Sequence, residues 1–444
     1  MSERIFFHKL SKTRPFLLFG AKGTGKTTLA KQFGQQFKNV VHLDLDTAED
    51  RNLFFSSSNP EEVLKAIGFL KEKEILGKET LLILDEIGRS PETSRWVEQV
   101  QNHDRPFIVA TTSFQTAQTH LLASLPDGPL NPVFLPPFTF EEFLTVMDDR
   151  ATLDAYREVP VPVFAHGKLL HHFHIYALIG GMPEIVMEYA QHRHLKGLRP
   201  VYEKIETSFL QSIENMQSRE KSRKLAGEVL QNIYPYASTR IHFKRFGNLE
   251  KGSREMGRAF RMLEEAFLLH LIYPVTSQTL PMAPDKTRFP RVQVTDSGMV
   301  NYFSGTQKPV FRSHDMNALF KGQIARQVAG QEILATEKNN VGQRLNFWVR
   351  NKPQSTAEID FLLEYQNMAI PVEVKSGEPG RLRSLHQFMD MAPHPFAIQL
   401  HASKTGIQQT QTLKGKKFFL LSLPYFLAGK IRGHLEGFKK FVEI

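Results

Sequence analysis

The first 150 residues repeat one pattern: a short apolar run, a polar break, then apolar residues at helical spacing. Apolar runs begin at Phe16, Val40, Leu81, Phe107 and Pro132. Between and after them, positions 29–33, 60–74, 91–101, 114–125 and 139–144 read as helices. A strand buried on both faces is apolar throughout, whereas one with a wet face alternates. Strands of the first kind separated by helices predict an α/β fold. Its parallel sheet is covered on both faces, and ligand binds at the carboxyl ends of the strands.

The pattern changes further along. Positions 168–178 are helical, and Val159, Pro160, Val161 and Pro162 form a candidate linker. Ile179-Gly180-Gly181-Met182-Pro183 reads as a sharp structural turn. Residues 221–234 and 253–267 read as helices on either side of a turn at 243–248. Extended segments with Pro274, Pro281 and Pro290 follow, which completes a winged-helix arrangement. Arg254, Arg258 and Arg261 share one face of the second helix. That face either meets nucleic-acid phosphates or the major groove, or is the solvated side of a protein-interaction module. Beyond it, 317–335 reads as a helix and 345–349, 357–364 and 368–375 as strands. Further strands at 396–400 and 418–423 and a basic helix at 425–442 end the chain. The expected domains are a nucleotide-binding domain over 1–150, a helical lid or linker over 151–218, a winged-helix-like domain over 219–310 and an α/β domain over 311–444.

Composition narrows the choices. The chain of 444 residues has 41% apolar residues, which suits several packed domains. It has no Cys, so disulfides, thiol catalysis and Cys-bound metals are excluded. The start has no apolar signal segment, and no run approaches the ~18 residues that span a bilayer. A cytoplasmic location is expected, with no membrane contact. The net charge of +10 is uneven. Residues 191–261 hold 15 Lys/Arg against 7 Asp/Glu, and 401–444 hold 8 against 2. Two basic regions suggest a nucleic acid as partner. A protein partner stays open.

The candidate chemistry begins at Gly20, Ala21, Lys22, Gly23, Thr24, Gly25, Lys26, Thr27 and Thr28. This is G-x-x-x-x-G-K-[ST] between a strand and a helix. The glycines let the backbone curl so that N–H groups point at phosphate oxygens. Lys26 reaches the β/γ-phosphates and Thr27 holds Mg²⁺. The run ending at Leu84 then delivers Asp85 and Glu86 to a strand end. Asp85 suits the Mg²⁺ shell, and Glu86 suits activation of water. Thr111, Thr112 and Ser113 end the next strand, either to touch the γ-phosphate or water or as a simple cap. ATP and Mg²⁺ are the expected ligands.

These motifs resemble the AAA+-type P-loop ATPases, in the prokaryotic group whose C-terminal part is uncharacterised. The match extends over residues 84–91 and 135–143 and includes the Gly180-Gly181 turn. The resemblance also implies the winged helix. That family usually has a Gly-Arg pair before the last strand of the sheet, where residues 125–130 here have no Arg. An arginine supplied in trans is worth roughly 10³ in rate or more. Arg89, Arg95 and Arg105 are the positional candidates to replace it.

The C-terminal strands carry a second constellation. If Gln366 and Asn367 close a symmetric hairpin, facing residue numbers sum to 733. Asp360 then faces Glu373, and Lys375 projects from the same face. Close carboxylates repel unless a cation lies between them. Asp360, Glu373 and Lys375 resemble the centre of the PD-(D/E)XK nucleases, with both carboxylates on a metal and the Lys on water. That resemblance implies a further Glu on the preceding helix, where this chain has Arg326; Glu332 is six residues later. It also offers Gln387 as an accessory residue. Three functions are therefore carried forward: an ATPase coupled to a DNA- or partner-binding region, an ATP-regulated nuclease, and a nucleotide-gated binding module with a degenerate nuclease-like domain.

Overall fold

The structure, a computed structural model, describes residues 10, 12–55, 57, 59–75, 77–100, 105–115, 128, 130–216, 218–247, 249, 251–307, 323–336, 345–352, 355–375 and 382–442. The expected helix at 114–125 and the family's Gly-Arg segment lie almost wholly outside them.

Strands β1 (Phe16–Phe19), β2 (Asn39–Asp44), β3 (Thr80–Asp85), β4 (Phe107–Thr112) and β5 (Asn131–Phe134) form a parallel sheet in the order β2-β3-β4-β1-β5. Helices α1 (Lys26–Gly34), α2 (Ala48–Asn52), α3 (Pro60–Leu70) and α4 (Pro91–Gln99) connect them. The apolar runs explain the layering. Phe16, Leu18, Leu81 and Ile83 enter one core, and their neighbours Leu17, Leu82 and Leu84 enter another. Successive side chains on a strand point to opposite faces, so each strand serves two helical layers.

The expected helical segment holds α5 (Phe140–Val146), α6 (Arg150–Arg157), α7 (His166–Ile179), α8 (Pro183–His192) and α9 (Leu198–Glu214). Thr139 and Glu142 close a reciprocal capping box at the start of α5, an arrangement worth about 1 kcal/mol. Next come α10 (Glu220–Ile233), a short turn of helix at Phe243–Arg245 and α11 (Ser253–Glu265). Strands β6 (Leu269–Ile272) and β8 (Arg291–Val294) then pair antiparallel. Two helices about a turn are thus followed by a strand pair, in the expected element order.

The strand between them, β7 (Pro274–Val275), leaves that pair and joins β9 (Asn346–Val349) in parallel. It becomes the edge of the C-terminal sheet, which runs β13-β14-β12-β11-β10-β9-β7. After α12 (Ser297–Phe303) and α13 (Gln323–Thr336), the sheet is built from β10 (Glu358–Tyr365) and β11 (Met368–Val374), followed by α14 (Arg383–Met391). It is completed by β12 (Phe396–His401), β13 (Gly406–Gln411) and β14 (Lys417–Pro424). Helix α15 (Ile431–Val442) ends the described chain; the first turns of the expected 425–442 helix are 3₁₀. Strand β13 has no apolar pattern because it is an exposed edge. Among the described residues no helix is long and apolar enough to cross a membrane.

One apolar cluster crosses the expected domain boundaries: Phe140, Tyr176, Phe260, Val300, Ile333 and Leu423 all belong to it. Two buried carboxylates pin this joint. Asp296 accepts the N–H of Gly181 at 2.7 Å and of Met299 at 3.0 Å. Gly180 has φ +82°, and a Cβ there would lie 2.2 Å from Asp296 Oδ1, so glycine is required. Glu332 on α13 accepts the Phe140 N–H at 3.0 Å and the Tyr176 hydroxyl at 2.6 Å. Burial pushes Glu332 up to about 7, although both hydrogen bonds oppose the shift.

The folded chain therefore keeps the Glu332 proton between its ordinary value of 4.5 and about 7, where the unfolded chain has lost it. This stabilisation is complete below 4.5 and is lost as pH rises through about 7. It amounts to about 3 kcal/mol. Glu332→Gln should flatten that part of the stability-versus-pH curve, measured by urea denaturation at about pH 5 and about pH 8.

Candidate active site

The phosphate loop sits at the carboxyl end of β1, between the ends of β4 and β5. Gly20, Gly23 and Gly25 all have positive φ, and a Cβ on Gly20 would lie 2.4 Å from the Leu135 carbonyl. Gly25 caps α1 in the left-handed region. The N–H groups of the first turn of α1 have no helical acceptors, which is the usual make-up of an anion site. Thr24 is buried and donates to the Ala21 carbonyl at 3.0 Å, which closes the loop on itself. Lys22 is half-buried and lies 3.7 Å from Asp46, and Thr28 is exposed on α1.

Lys26 is buried, and its Nζ donates to the Gly20 and Ala21 carbonyls at 3.0 Å and to Ser113 Oγ at 2.9 Å. Burial lowers its pKa, while Glu86 and Asp85 pull the other way. Ser113 in turn donates from Oγ to Glu86 Oε1 at 2.5 Å and from its backbone N–H to Oε2 at 2.9 Å. Lys26, Ser113 and Glu86 thus form one bridge from the loop to the end of β3. Glu86 has φ 57° and ψ 47°, a left-handed conformation that costs a non-glycine residue of order 1 kcal/mol or more. That turn lets a buried carboxylate follow Asp85 directly and still face β4.

Asp85 belongs to a second bridge. Thr27 Oγ1 donates to its carboxylate at 2.8 and 3.0 Å, and Thr111 donates to it from β4. His42 Nε2 on β2 lies 3.6 Å away. Burial pushes the Asp85 carboxyl up, but the polar contacts from His42, Thr111 and Thr27 outweigh it and hold the group below its ordinary value. Thr27 and Asp85 offer hydroxyl and carboxylate oxygens side by side, the donor set that a hard cation such as Mg²⁺ takes together with phosphate oxygens. The residues present fit that ion.

Ser113 was only one of three strand-end hydroxyls in the sequence. The structure separates their roles. Thr111 holds Asp85, Thr112 donates to the Phe114 carbonyl at 3.1 Å, and Ser113 bridges Lys26 and Glu86. Strand register distinguishes the three, and register is not visible in a run of Thr and Ser.

Next to the loop lies a cleft of about 1060 Å³. The domain of β1 to β5 lines it with Lys22, Asp46, Arg89 and Phe114, and α11 lines it with Arg258 and Arg261. Arg254, Arg258 and Arg261 are all exposed on one face of α11, as their spacing predicts, and two of them also border this cleft. Packing sets the end of α11 beside the sheet. The Gln115 N–H donates to the Glu265 carbonyl at 2.7 Å, and Phe267 packs on Phe19 with ring centroids 5.6 Å apart. Arg89 lies over the Phe114 ring, pairs with Asp46 at 2.8 Å and donates to the Asn215 carbonyl at 2.6 Å. Arg95 and Arg105 pair with Glu92 and Glu61 and do not line the cleft.

The C-terminal constellation also assembles. Phe361 pairs with Val372 and Leu362 with Pro371, so facing numbers sum to 733. Lys375 Nζ donates to Glu373 Oε1 at 2.7 Å, and the Val374 N–H donates to Asp360 Oδ2 at 2.8 Å. Burial, with Asp360 adding to it, pushes Glu373 up to about 7. Arg326 Nε lies 2.6 Å from Asp360 Oδ1. Glu332, the alternative carboxylate on the same helix, points to Phe140 and Tyr176 instead. Gln387 accepts from Arg350 at 3.0 Å and is engaged there. Among the described residues no cluster of three or more His, Asp or Glu side chains is arranged to hold a metal.

Residues 12–144 match a family described as an AAA domain. Residues 170–309 match a domain of unknown function (DUF8612), and 321–425 match another (DUF4143). No curated protein matches the chain. Similar solved structures include Aeropyrum pernix ORC1 in complex with DNA, at 14% identity and TM-score 0.32, over 70% of this chain and 90% of that one. The Thermotoga maritima RuvB Holliday junction branch migration motor is similar at 17% identity and TM-score 0.28, over 64% and 88%. AMPPCP-bound DnaA from Aquifex aeolicus is similar at 15% identity and TM-score 0.24, over 58% and 81%.

Ser113→Ala should leave nucleotide affinity within about twofold and lower turnover roughly tenfold to a hundredfold, the value of one hydrogen bond to a charged group. Equilibrium nucleotide binding and single-turnover hydrolysis measure the two effects separately.

Proposed function

We propose that the chain binds ATP·Mg²⁺ through Gly20 to Thr28, hydrolyses it with Asp85 and Glu86, and passes the nucleotide state to a DNA- or partner-binding region. The observation that carries this reading is the bridge Lys26–Ser113–Glu86 beside the bridge Thr27–Asp85–Thr111. A phosphate-facing cation, an acid beside the water position and an oxygen set for Mg²⁺ all converge at the carboxyl ends of parallel strands.

Each residue then has a defined role. Lys26 exchanges the Gly20 and Ala21 carbonyls for β/γ-phosphate oxygens, which is favourable because a buried ammonium gains an anion. Loop N–H groups and the start of α1 hold the remaining phosphate oxygens. Thr27 and Asp85 would hold Mg²⁺ from the protein side, and the ion would supply charge neutralisation at the phosphates. Glu86 orients the attacking water and accepts its proton, while Ser113 fixes the carboxylate. Arg89, Arg258 and Arg261 supply positive charge on the cleft side from within the same chain.

Coupling follows from the cleft. The α11 arginines lie against the nucleotide-binding domain, so nucleotide state and α11 position are linked. The basic stretches 191–261 and 401–444 support a nucleic acid as the partner.

Steady-state ATP hydrolysis with and without double-stranded DNA tests this reading. The expected result is turnover that rises with DNA and disappears in Lys26→Ala. Glu86→Gln should keep ATP binding while turnover falls about 10²-fold or more. Replacing Arg258 and Arg261 together by Ala should remove the DNA response and leave ATP binding intact. Tight ATP binding with no turnover in either condition contradicts hydrolysis and leaves a nucleotide-gated binding module.

A further inference from the structure

The nuclease-like centre has the shape of a metal site and a different charge balance. Its two facing carboxylates offer four oxygens, and three are engaged. Asp360 Oδ1 is 2.6 Å from Arg326 Nε, Oδ2 accepts the Val374 N–H at 2.8 Å, and Glu373 Oε1 accepts Lys375 at 2.7 Å. Glu373 Oε2 is buried with no hydrogen-bond partner among the described residues. One open oxygen leaves a single free protein ligand for an ion such as Mg²⁺ that takes six, several of them water but one or two usually from carboxylates free to bind it.

Cations already surround the spot. Arg291 on β8 is fully buried, with Nη2 4.0 Å from Asp360 Oδ1 and Nη1 donating to the Asp360 carbonyl at 2.7 Å. Its guanidinium also pairs with Glu358 and lies 4.4 Å from the Phe347 ring centre. Arg240 pairs with the other Glu358 oxygen at 3.2 Å. Arg240, Arg291, Arg326 and Lys375 therefore face Glu358, Asp360 and Glu373, so a divalent ion would enter a centre that is already neutralised. The donor set does not fit a metal.

The same pairs bridge two regions of the chain. Arg326 Nη1 donates to the Ser238 carbonyl at 3.1 Å, and Arg240 and Arg291 both come from the 219–310 region. We propose that Arg326 is the resident cation of this centre: the C-terminal domain holds no divalent metal there, and Asp360 serves as an ionic joint to the winged-helix segment. This inference does not depend on the nucleotide site.

Mn²⁺ titration of the nucleotide-free full chain, read by electron paramagnetic resonance, tests it. All variants carry Asp85→Asn, so that the phosphate-loop site contributes nothing. The otherwise unaltered chain should take up no more Mn²⁺ than one with Asp360→Asn. Arg326→Glu, which puts a third carboxylate beside Asp360 and Glu373, should take up one added equivalent that EDTA removes. An equivalent bound without any change at 326, and lost with Asp360→Asn, overturns the proposal. So does a folded Arg326→Glu chain that binds none. If that variant does not fold, melting temperature decides the joint: Arg326→Gln should lower it and Arg326→Lys recover part of the loss. An unchanged melting temperature in Arg326→Gln overturns the proposal.

Discussion

A lysine buried at the end of a parallel sheet must have its charge answered, because an unpaired buried ammonium is far costlier than an exposed one. Here the answer is two loop carbonyls and a serine that leans on a glutamate. Much of the nucleotide-binding domain follows from that requirement. The glycines curl the loop until its carbonyls reach Nζ. Glu86 takes a left-handed backbone so that its carboxylate turns to β4. Strand β4 lies between β1 and β3, which lets Ser113 touch both partners. In the proposed binding mode, a phosphate group entering the loop replaces weak dipoles with full negative charge, and the buried lysine provides the driving force.

The rest of the chain is tied to this site through polar contacts, some buried and some exposed, around a shared apolar core. The Gln115 N–H meets the Glu265 carbonyl beside the sheet, and Arg89 meets the Asn215 carbonyl across the cleft. Glu332 reaches from α13 to the start of α5 and to α7. Arg326 and Arg291 close the path by joining α13 and β8 to the C-terminal sheet. In the proposed coupling, a shift of α11 against the cleft acts on elements that also hold the C-terminal domain.

Local pattern carried the nucleotide-binding domain in the sequence. Apolar runs of four to six residues, a glycine loop and an Asp-Glu pair each occupy a few consecutive positions, and strand geometry then fixes their faces. The Asp360–Glu373 facing was legible for the same reason, since one turn sets the whole hairpin register. What stayed hidden depends on contacts distant in sequence. Strand β7 has two residues and joins a sheet whose next strand begins at Asn346. Strand β13 is polar because an exposed edge needs no apolar side. The arginines of α11 form the exposed face their spacing predicted, but that two of them border the cleft depends on α11 packing beside the sheet, as in the contact of Phe267 with Phe19. Glu332 looked like a displaced site residue, and it is a buried link between helices.

Nucleotide at the phosphate loop should be felt by α11 through the shared cleft, and the proposed coupling rests on that. Hydrogen–deuterium exchange, with and without ATP·Mg²⁺ on the Glu86→Gln chain, tests it directly. The predicted result is added protection at residues 20–28 together with changed exchange across Ser253–Glu265. Protection of the loop with no change in α11 would contradict the coupling.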